Sequence, residues 1–339
     1  MSLKILAIES SCDETSAAIL DNEKILSNVI SSQYFHKEYG GIVPELASRA
    51  HVTTIEKITG EAFRLAGVTP ADIELAAASQ GPGLIGSLLV GLNFAKGFAV
   101  SHNIPFVGID HIESHLYSSY IGKREVDYPF IALVVSGGHT IIFLAESEKH
   151  YRVLGTTQDD AAGEAFDKVA KMLGLEYPGG PLIDKLAKEG NSDFHKFPVS
   201  HIKESPYDFS FSGIKTSVLY YLKKNFPGGA SGSDLNNISA SFQKAVISSL
   251  VSKTIKAAKD HNIKRISVSG GVSANSALRE EFTKYENEGY TISFPEKIYS
   301  TDNAAMIGYT AYLKYRDNST AIPPNALLES AYARFRYNS

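Results

Sequence analysis

Two histidines four residues apart offer the clearest chemistry in this sequence. His111 and His115 follow a short apolar run, residues 104–109, that is typical of a buried strand. Residues 112–120 have the pattern of a helix, and side chains four apart lie on one face of a helix. Two imidazoles on one face at the carboxyl end of a strand provide half of a metal site. The alternative is that one histidine caps the helix and the other packs.

A carboxylate that would complete such a site lies near the end of the sequence. Asp302 stands in a polar segment, residues 300–303, directly before a predicted helix that runs through Tyr315. Its alternative role is an ordinary helix cap, which this context favours equally. Two histidines and one carboxylate with open coordination positions suit Fe(II), Zn(II) and Mn(II) alike. Only a repeat in the chain places Asp302 beside the histidines.

The repeat is a shared order of elements in the two halves of the chain. Each half begins with a strand, a small polar turn and two further strands, at residues 4–31 and again at residues 131–155. Each half ends with a strand and a helix, and His111 and Asp302 occupy equivalent positions between the two. In two-lobed folds of this kind the equivalent edges face one cleft, so we expect the three ligands to meet there.

The element order predicts an α/β protein of two lobes, with residues 1–125 in the N-terminal lobe and residues 126–339 in the C-terminal lobe. A chain of 339 residues is long enough for two domains with sizeable cores. Residues 190–235 are rich in Ser, Gly, Asn, Pro and aromatic residues, which predicts an irregular insertion with some helix after Ser212.

Composition limits the classes of partner. A net charge of -4 gives no global basic field for nucleic acid, so an RNA surface must be a local patch or come from a partner. Cys12 is the only cysteine, which excludes an intrachain disulfide framework and fits a reducing cytosol. The longest apolar stretch, residues 84–100, is broken by Asn93 and Lys96 and is no membrane span. The N-terminus runs directly into a strand without a signal peptide, so we expect a cytoplasmic protein.

Polar and glycine-rich turns follow several predicted strands. The turn at residues 9–15 exposes N–H groups and hydroxyls that can face a phosphate, although Asp13 and Glu14 also suit a solvated hairpin tip. The glycines of residues 80–87 permit close approach to a helix N-terminus. That motif alone is weak evidence, because its spacing matches no dinucleotide fingerprint.

Seven motifs, in order over nearly the whole chain, identify a family. They lie at residues 8–16, 41–49, 81–84, 111–115, 136–140, 209–216 and 269–275. Together they resemble the TsaD family, the bacterial tRNA adenosine threonylcarbamoyltransferases formerly called O-sialoglycoprotein endopeptidases. The resemblance implies the duplicated actin-like/Hsp70-like ATPase (ASKHA) fold, with two lobes around a central cleft, in agreement with the repeat.

The resemblance also implies a reaction. Threonylcarbamoyl-adenylate, made by a separate enzyme, would donate its threonylcarbamoyl group to the exocyclic N6 amine of the adenosine 3′ of the anticodon, in tRNAs that read codons starting with A, and AMP would leave. One divalent metal per chain, Fe(II) first and Zn(II) as the alternative, would be held by His111, His115 and Asp302, which would act in catalysis through the metal. The implied partners are tRNA, a TsaB-like paralogue and a TsaE-like ATPase.

Nine residues match the family's adenylate contacts. Ser136 to Gly138 would offer N–H groups to the phosphate, Asp184 would accept from ribose hydroxyls, and Asn275 would hydrogen-bond the adenosine. Taken alone, Asp167 and Asp184 would more often be solvated helix carboxylates. The full set is Val134, Val135, Ser136, Gly137, Gly138, Asp167, Gly180, Asp184 and Asn275.

One departure from the family pattern affects the metal shell. The archaeal and eukaryotic branch has a tyrosine ligand on the strand before the Gly-Gly turn, where this chain has Val134. The remaining coordination positions then fall to water, substrate or His139.

Two other functions fit parts of the sequence. A His-Glu-x-x-His metalloprotease carries its glutamate directly after the first histidine, where it activates a metal-bound water. Here Glu113 comes two residues after His111 and points about 200° away around the helix, so this function ranks low. A nucleotide-dependent scaffold of the same fold would explain the glycine-rich turns but leave the His/Asp set without a role.

The local basic surface is modest for a protein that acts on a polyanion. The best run of cations lies on a long predicted helix, residues 235–261, and the turn after it. A solvated helix face is the commoner role of such a run, so we expect the chain alone to bind tRNA weakly. The run comprises Lys253, Lys256, Lys259, Lys264 and Arg265.

Overall fold

The computed structural model describes residues 2–33, 36, 39, 41–123, 125–148, 150–200, 202, 204–316 and 325–335. The chain divides into two units. Unit 1 comprises Met1–Val126 and Thr301–Ser339, and unit 2 comprises Asp127–Ser300.

Unit 1 is built on one mixed five-stranded sheet. Its main elements are β1 (Lys4–Glu9), β2 (Glu14–Asp21), β3 (Lys24–Ser32), α1 (Pro44–Ala66), β4 (Leu75–Gly81), α2 (Ile85–His102), β5 (Phe106–Asp110), α3 (His111–Ser118) and α9 (Ala304–Tyr315). The strand order is β3-β2-β1-β4-β5. The first three strands in the chain pair antiparallel, whereas β1, β4 and β5 run parallel.

Helices cover both faces of this sheet. Alternate residues of a strand point to opposite faces, so each strand contributes side chains to both helix–sheet interfaces. Leu6 and Ile8 of β1 belong to the core that also contains buried residues of α1 and α2. On the other face, α9 lies so close that a side chain at Gly308 would overlap Leu20 and stand 3.1 Å from the Cβ of Ala7. Glycine at position 308 therefore permits close packing of α9 on the sheet.

The long apolar stretch of the sequence forms α2. Leu88, Leu92 and Ala95 are buried on its inner face, whereas Asn93 is exposed. Within the described ranges, no helix is long and apolar enough to cross a membrane.

Unit 2 repeats the sheet topology of unit 1. Its main elements are β6 (Phe130–Val135), β7 (Thr140–Ser147), β8 (His150–Thr156), α4 (Ala162–Met172), α5 (Gly179–Ala187), α6 (Ser212–Asn225), α7 (Gly232–Asp260), β9 (Arg265–Ser269), α8 (Ser276–Thr283) and β10 (Thr291–Ser293). The order β10-β9-β6-β7-β8 has the same pattern of antiparallel and parallel pairs as the first sheet. The predicted duplicated α/β architecture is therefore confirmed.

The predicted lobe boundaries differ from the observed units at the C-terminal segment. The sequence-based boundaries put all of residues 126–339 in one lobe, whereas the structure groups Thr301–Ser339 with unit 1. The reason is that α9 packs on the first sheet and is anchored there. The N–H of Ala304 donates to Ser16 Oγ at 2.9 Å, and the N–H of Ala305 donates to Asn28 Oδ1 at 3.2 Å. Such long-range packing has no signature in local periodicity.

The segment predicted as an insertion, residues 190–235, is irregular up to residue 211 in its described part and mostly helical from Ser212. The Phe209 N–H donates to the Thr156 carbonyl at 2.9 Å, and the Gln158 N–H donates to the Phe209 carbonyl at 2.9 Å. These bonds tie the segment to the end of β8. Helix α6 and the first turn of α7 account for much of the rest, and residues 201 and 203 lie outside the described ranges.

Candidate metal centre and nucleotide-binding turn

Three side chains of unit 1 converge on one point. The Nε2 atoms of His115 and His111 lie 3.0 and 3.5 Å from Asp302 Oδ1. One ligand atom from each residue lies within 4.8 Å of the other two. The structure thus brings together the three residues that the sequence predicted as metal ligands. It places all of them in unit 1, whereas the predicted boundaries assigned Asp302 to the C-terminal lobe.

The start of α3 positions both histidines. Asp110 caps the helix, because its Oδ1 accepts from the N–H groups of Ile112 and Glu113 at 2.8 and 2.9 Å. The Tyr332 hydroxyl donates to Asp110 Oδ2 at 2.5 Å. His111 is the first residue of the helix, and His115 follows one turn later. The cap therefore holds in place the start of the helix that carries both histidines.

Asp302 is not the cap of α9. That role belongs to Asn303, whose Oδ1 accepts from the Met306 N–H at 3.1 Å. The alternative function of Asp302 as an ordinary helix cap is therefore excluded, and its carboxylate meets the histidines instead.

A buried carboxylate that sequence reasoning missed holds His111 from behind. Glu9, at the end of β1, is fully buried, and its Oε2 lies 3.0 Å from His111 Nδ1. Ser11 Oγ lies 3.2 Å from the same nitrogen, and the Ser11 N–H donates to Glu9 Oε1 at 2.5 Å. A carboxylate on Nδ1 selects the tautomer that presents the Nε2 lone pair to a metal. The turn at residues 9–15 thus supports a ligand rather than forming a simple hairpin tip.

The electrostatics of the site suit a cation. Burial disfavours a charged imidazole, but the carboxylates of Asp302 and Glu9 outweigh this effect and raise the pKa of His111 to about 9. Burial and the charge of Asp302 raise the pKa of the Glu14 carboxyl well above its ordinary value. The carboxylates of Asp302 and Glu9 therefore concentrate negative potential beside the imidazoles, where a metal would lie. The residues present fit a divalent ion by donor type, geometry and charge.

The glutamate between the two histidines forms an ion pair outside the cluster of His111, His115 and Asp302. Glu113 is buried, and its Oε2 lies 2.7 Å from Lys314 Nζ of α9. Burial raises the pKa of Glu113, and the charge of Lys314 opposes that rise. Because its carboxylate joins α3 to α9, Glu113 does not serve as the water-activating base of a metalloprotease.

In unit 2, the predicted phosphate turn closes between β6 and β7. The Ser136 N–H donates to the His139 carbonyl at 2.8 Å, and the His139 N–H donates to Ser136 Oγ at 3.1 Å. Gly137 and Gly138 are exposed at the tip, and a Cβ on either would meet nothing within 4 Å. Backbone at this tip is thus accessible to a ligand. The side chains of Val134 and Val135 are buried in β6, so only their backbone atoms could serve a ligand there.

Two glycines bring other elements against this turn. The Gly163 N–H at the start of α4 donates to the Ser136 carbonyl at 3.2 Å, and a Cβ there would lie 2.6 Å from that oxygen. Gly270 has a φ of 86° after β9, and a Cβ on it would overlap the Val135 carbonyl. The helix N-terminus, the turn and the loop before α8 therefore meet at the carboxyl ends of β6 and β9.

The predicted carboxylate contacts of unit 2 already have protein partners. Asp167 Oδ1 accepts from the Gly179 N–H at 2.8 Å, which joins α4 to the start of α5. Burial raises the pKa of Asp167, although the hydrogen bonds from the N–H groups of Gly179 and Gly180 act to lower that pKa. Asp184 Oδ1 accepts from the Ser276 hydroxyl at 2.8 Å. A Cβ at Gly180 would find its nearest neighbour only at 3.9 Å, so this side of the helix start is open.

Asn275 is also engaged. Its Oδ1 caps α8 by accepting from the Leu278 N–H at 3.0 Å, and its Nδ2 donates to Gln243 Oε1 of α7 at 2.7 Å. One Nδ2 hydrogen remains for a ligand, because an amide nitrogen has two donors.

Two solved structures share the fold. Full-length HypF in its phosphate- and nucleotide-bound form matches with a TM-score of 0.63 and 16% identity, over 93% of this chain and 55% of that chain. The activator of 2-hydroxyisocaproyl-CoA dehydratase from Clostridium difficile with bound ADPNP matches with a TM-score of 0.50 and 13% identity, over 94% of this chain and 97% of that chain. At these identities the likeness shows fold alone. The chain thus has the ASKHA-type fold, as predicted.

The chain belongs to the TsaD family. The family described as tRNA N6-adenosine threonylcarbamoyltransferase matches residues 24–309. A relative of that name from Clostridium perfringens is 50% identical over 315 residues, which cover 91% of this chain and 92% of the relative. One from Geotalea uraniireducens is 51% identical over 306 residues, 89% of each protein. The family resemblance carried by the seven motifs is therefore confirmed.

Proposed function

We propose that this protein transfers a threonylcarbamoyl group to the N6 amine of a tRNA adenosine. The donor is threonylcarbamoyl-adenylate, and the acceptor is the adenosine 3′ of the anticodon in tRNAs that read codons starting with A. The new bond joins N6 to the carbamoyl carbon, the bond from that carbon to the phosphate oxygen breaks, and AMP leaves. The N6 amine loses one proton in the exchange.

One observation carries this proposal beyond family membership. Nε2 of His111, Nε2 of His115 and Oδ1 of Asp302 form a compact ligand set, and Glu9 fixes the tautomer of the first imidazole. We propose that this set holds one divalent ion per chain, with Fe(II) as the first candidate and Zn(II) as the second. Bound there, the ion would act as a Lewis acid that stabilises negative charge on the carbamoyl oxygen.

The residues of unit 2 are proposed to bind the adenylate. Ser136, Gly137 and Gly138 present backbone to the phosphate, which leaves as part of AMP. Asp184 accepts from the ribose hydroxyls, and the free Nδ2 hydrogen of Asn275 donates to the adenosine. Because the donor is already activated, these residues only need to bind and orient it. The amine is a weak nucleophile, since its lone pair is delocalised into the purine, so orientation matters.

The direct experiment is transfer from threonylcarbamoyl-adenylate to unmodified tRNA. The modified nucleoside is measured by mass spectrometry, and AMP release is measured in parallel. We expect equal amounts of both products, and loss of both after chelation, with recovery on addition of Fe(II) or Zn(II). AMP release without modified tRNA would overturn the proposal.

Turnover is expected to depend on other proteins. We propose a TsaB-like paralogue and a TsaE-like ATPase as partners in the cytoplasm. With a net charge of -4, the chain alone should hold tRNA weakly and be poorly active. Turnovers counted with and without each partner test this, and full multi-turnover activity of the purified single chain would contradict it.

Replacing Asn275 should weaken adenylate binding. We expect Asn275→Ala to cost about 1–3 kcal/mol of binding free energy, the penalty for one unpaired buried polar group. The same change removes the cap of α8, which costs about 0.5–2 kcal/mol of stability. Calorimetric titration with an adenylate analogue measures the first effect, and thermal melting measures the second.

Asn275→Asp separates the two roles of this residue. The aspartate keeps a capping oxygen and removes the amide donors, so melting should recover while binding stays weak. Unchanged affinity in both variants would place the adenosine pocket elsewhere.

A further inference from the structure

The predicted basic run is engaged within unit 2 and offers little to a polyanion. Lys253 is buried and donates to the Asp208 carbonyl, and Lys256 pairs with Asp260 at 2.7 Å. Arg265 donates to two backbone carbonyls just before β6, at 2.8 and 3.1 Å. These three of the five cations of this run are therefore held by protein partners, which leaves the run with less free charge than the sequence predicted.

Helix α6 presents other cations beside an exposed aromatic ring. Tyr220 is 66% exposed. Lys223 and Lys224 follow it by three and four residues, so the three side chains share one side of the helix. Both lysines are exposed, and neither forms an ion pair with any residue that the structure describes. These three residues are called the α6 face below.

An open groove of about 620 Å³ lies beside α6, and Tyr220 and Lys224 of the α6 face line it. Its wall is aromatic, because His195 stacks on Tyr221 with ring centroids 4.0 Å apart and planes inclined by 29°. Thr216, Ser217 and Asn225 add hydroxyl and amide groups, and no acidic residue lines the groove. The His195 N–H donates to Ser241 Oγ of α7 at 3.1 Å, which holds this wall in place.

We propose that the α6 face binds a single-stranded segment of tRNA, an inference that rests on the proposed function. An exposed ring beside exposed lysines is a combination that binds single-stranded nucleotides, since bases stack on aromatic rings and phosphates pair with cations. The hydroxyl and amide groups of the groove complement base edges or 2′-hydroxyls. The chain carries no global positive field, so any tRNA contact that this chain itself makes needs a local surface of this kind.

The test is binding of fluorescently labelled, unmodified tRNA to the full chain, alone and with its partner proteins. We expect Tyr220→Ala to weaken binding by at least about fivefold, the lower end of the stacking contribution of one base. Tyr220→Phe keeps the ring and should bind within about twofold of wild type. Changing Lys223 and Lys224 together to Gln should flatten the dependence of log K on log salt concentration by about 1.4, twice the increment for one contact to a single strand.

A matched pair of substitutions controls for net charge. Lys256→Gln with Lys259→Gln removes the same charge from α7, where Lys256 is paired with Asp260, and should change the salt dependence less. Assembly with the partner proteins is followed by size-exclusion chromatography and should be unchanged by the Tyr220 substitutions. Loss of assembly with tRNA affinity intact would assign the α6 face to a protein partner and overturn the proposal.

The outcomes also separate this inference from the proposed function. If wild-type chain and all variants bind and modify tRNA equally, the α6 face is not an RNA surface, and the proposed function stands. If the wild-type chain with its partners neither binds nor modifies tRNA, both proposals fail. Weaker tRNA binding in Tyr220→Ala, with rescue in Tyr220→Phe, supports the α6 face.

Discussion

Replacing His115 by alanine is expected to abolish metal binding and to lower threonylcarbamoyl transfer by about 100-fold or more. His115 Nε2 lies 3.0 Å from Asp302 Oδ1, so its loss removes one of the three proposed ligands and the shorter of the two imidazole contacts to that carboxylate. The size of the effect follows from losing the main stabiliser of the oxyanion, which typically costs about 10²–10³ in rate. Metal content by elemental analysis and single-turnover transfer rates measure the two effects separately.

Folding must be checked in the same variant, because His115 is fully buried. Its ring packs edge to face on His111, with centroids 4.8 Å apart, so truncation leaves a small cavity. His150→Ala is the matched control, since His150 is exposed at the start of β8 and meets no metal ligand. Adenylate affinity should fall less than transfer in His115→Ala, because the proposed adenylate contacts are in unit 2. A metal-free variant that transfers at the wild-type rate would refute the proposed role of the metal.

Local sequence patterns were sufficient to predict most of the fold. The central strands are buried and short, and the turns after them are polar or glycine-rich, so the sequence pattern locates them within a few residues. The repeated topology follows from the same patterns, because both sheets use one order of antiparallel and parallel pairs. The packing of α9 on the sheet of unit 1 could not be predicted in this way. That packing depends on Gly308, which lets the helix lie close to the sheet. It also depends on hydrogen bonds from the start of α9 to Ser16 and Asn28, which are 288 and 277 residues away from their partners in the sequence.

The cluster of His111, His115 and Asp302 was predictable for a different reason. His111 and His115 share a helix, so their spacing alone places them together, and Asp302 followed from the repeat. Only the structure showed that Asp302 does not cap α9, because Asn303 is the cap. Glu113 pairs with Lys314 of α9, 201 residues away, and this pair could not be predicted from the sequence either. Hydrogen bonds between residues so far apart in the sequence do not affect the local residue spacing or hydropathy pattern from which such predictions are made.

The contact between Glu9 and His111 spans 102 residues and leads to the second large prediction. We expect Glu9→Gln to weaken metal binding by about 10–100-fold, as is typical when the hydrogen-bond partner of a metal-binding histidine is changed. Glutamine has one carbonyl oxygen in place of two carboxylate oxygens, so it cannot accept from both His111 Nδ1 and the Ser11 N–H. It also removes a negative charge from beside the imidazole, which makes that imidazole a poorer ligand. Titration of the chelated protein with Zn(II) against a competing indicator measures the affinity.

Rescue by excess metal distinguishes this role from that of a ligand. In Glu9→Gln all three ligand atoms remain, so transfer should recover when the metal concentration is raised about 100-fold, in proportion to the lost affinity. In His115→Ala the same excess should restore little, because a ligand is missing. Ser11→Ala removes only the longer 3.2 Å contact to His111 Nδ1 and should have a smaller effect on affinity. If Glu9→Gln lowers the melting temperature but binds metal as the wild type does, Glu9 stabilises the turn after β1 and does not position His111.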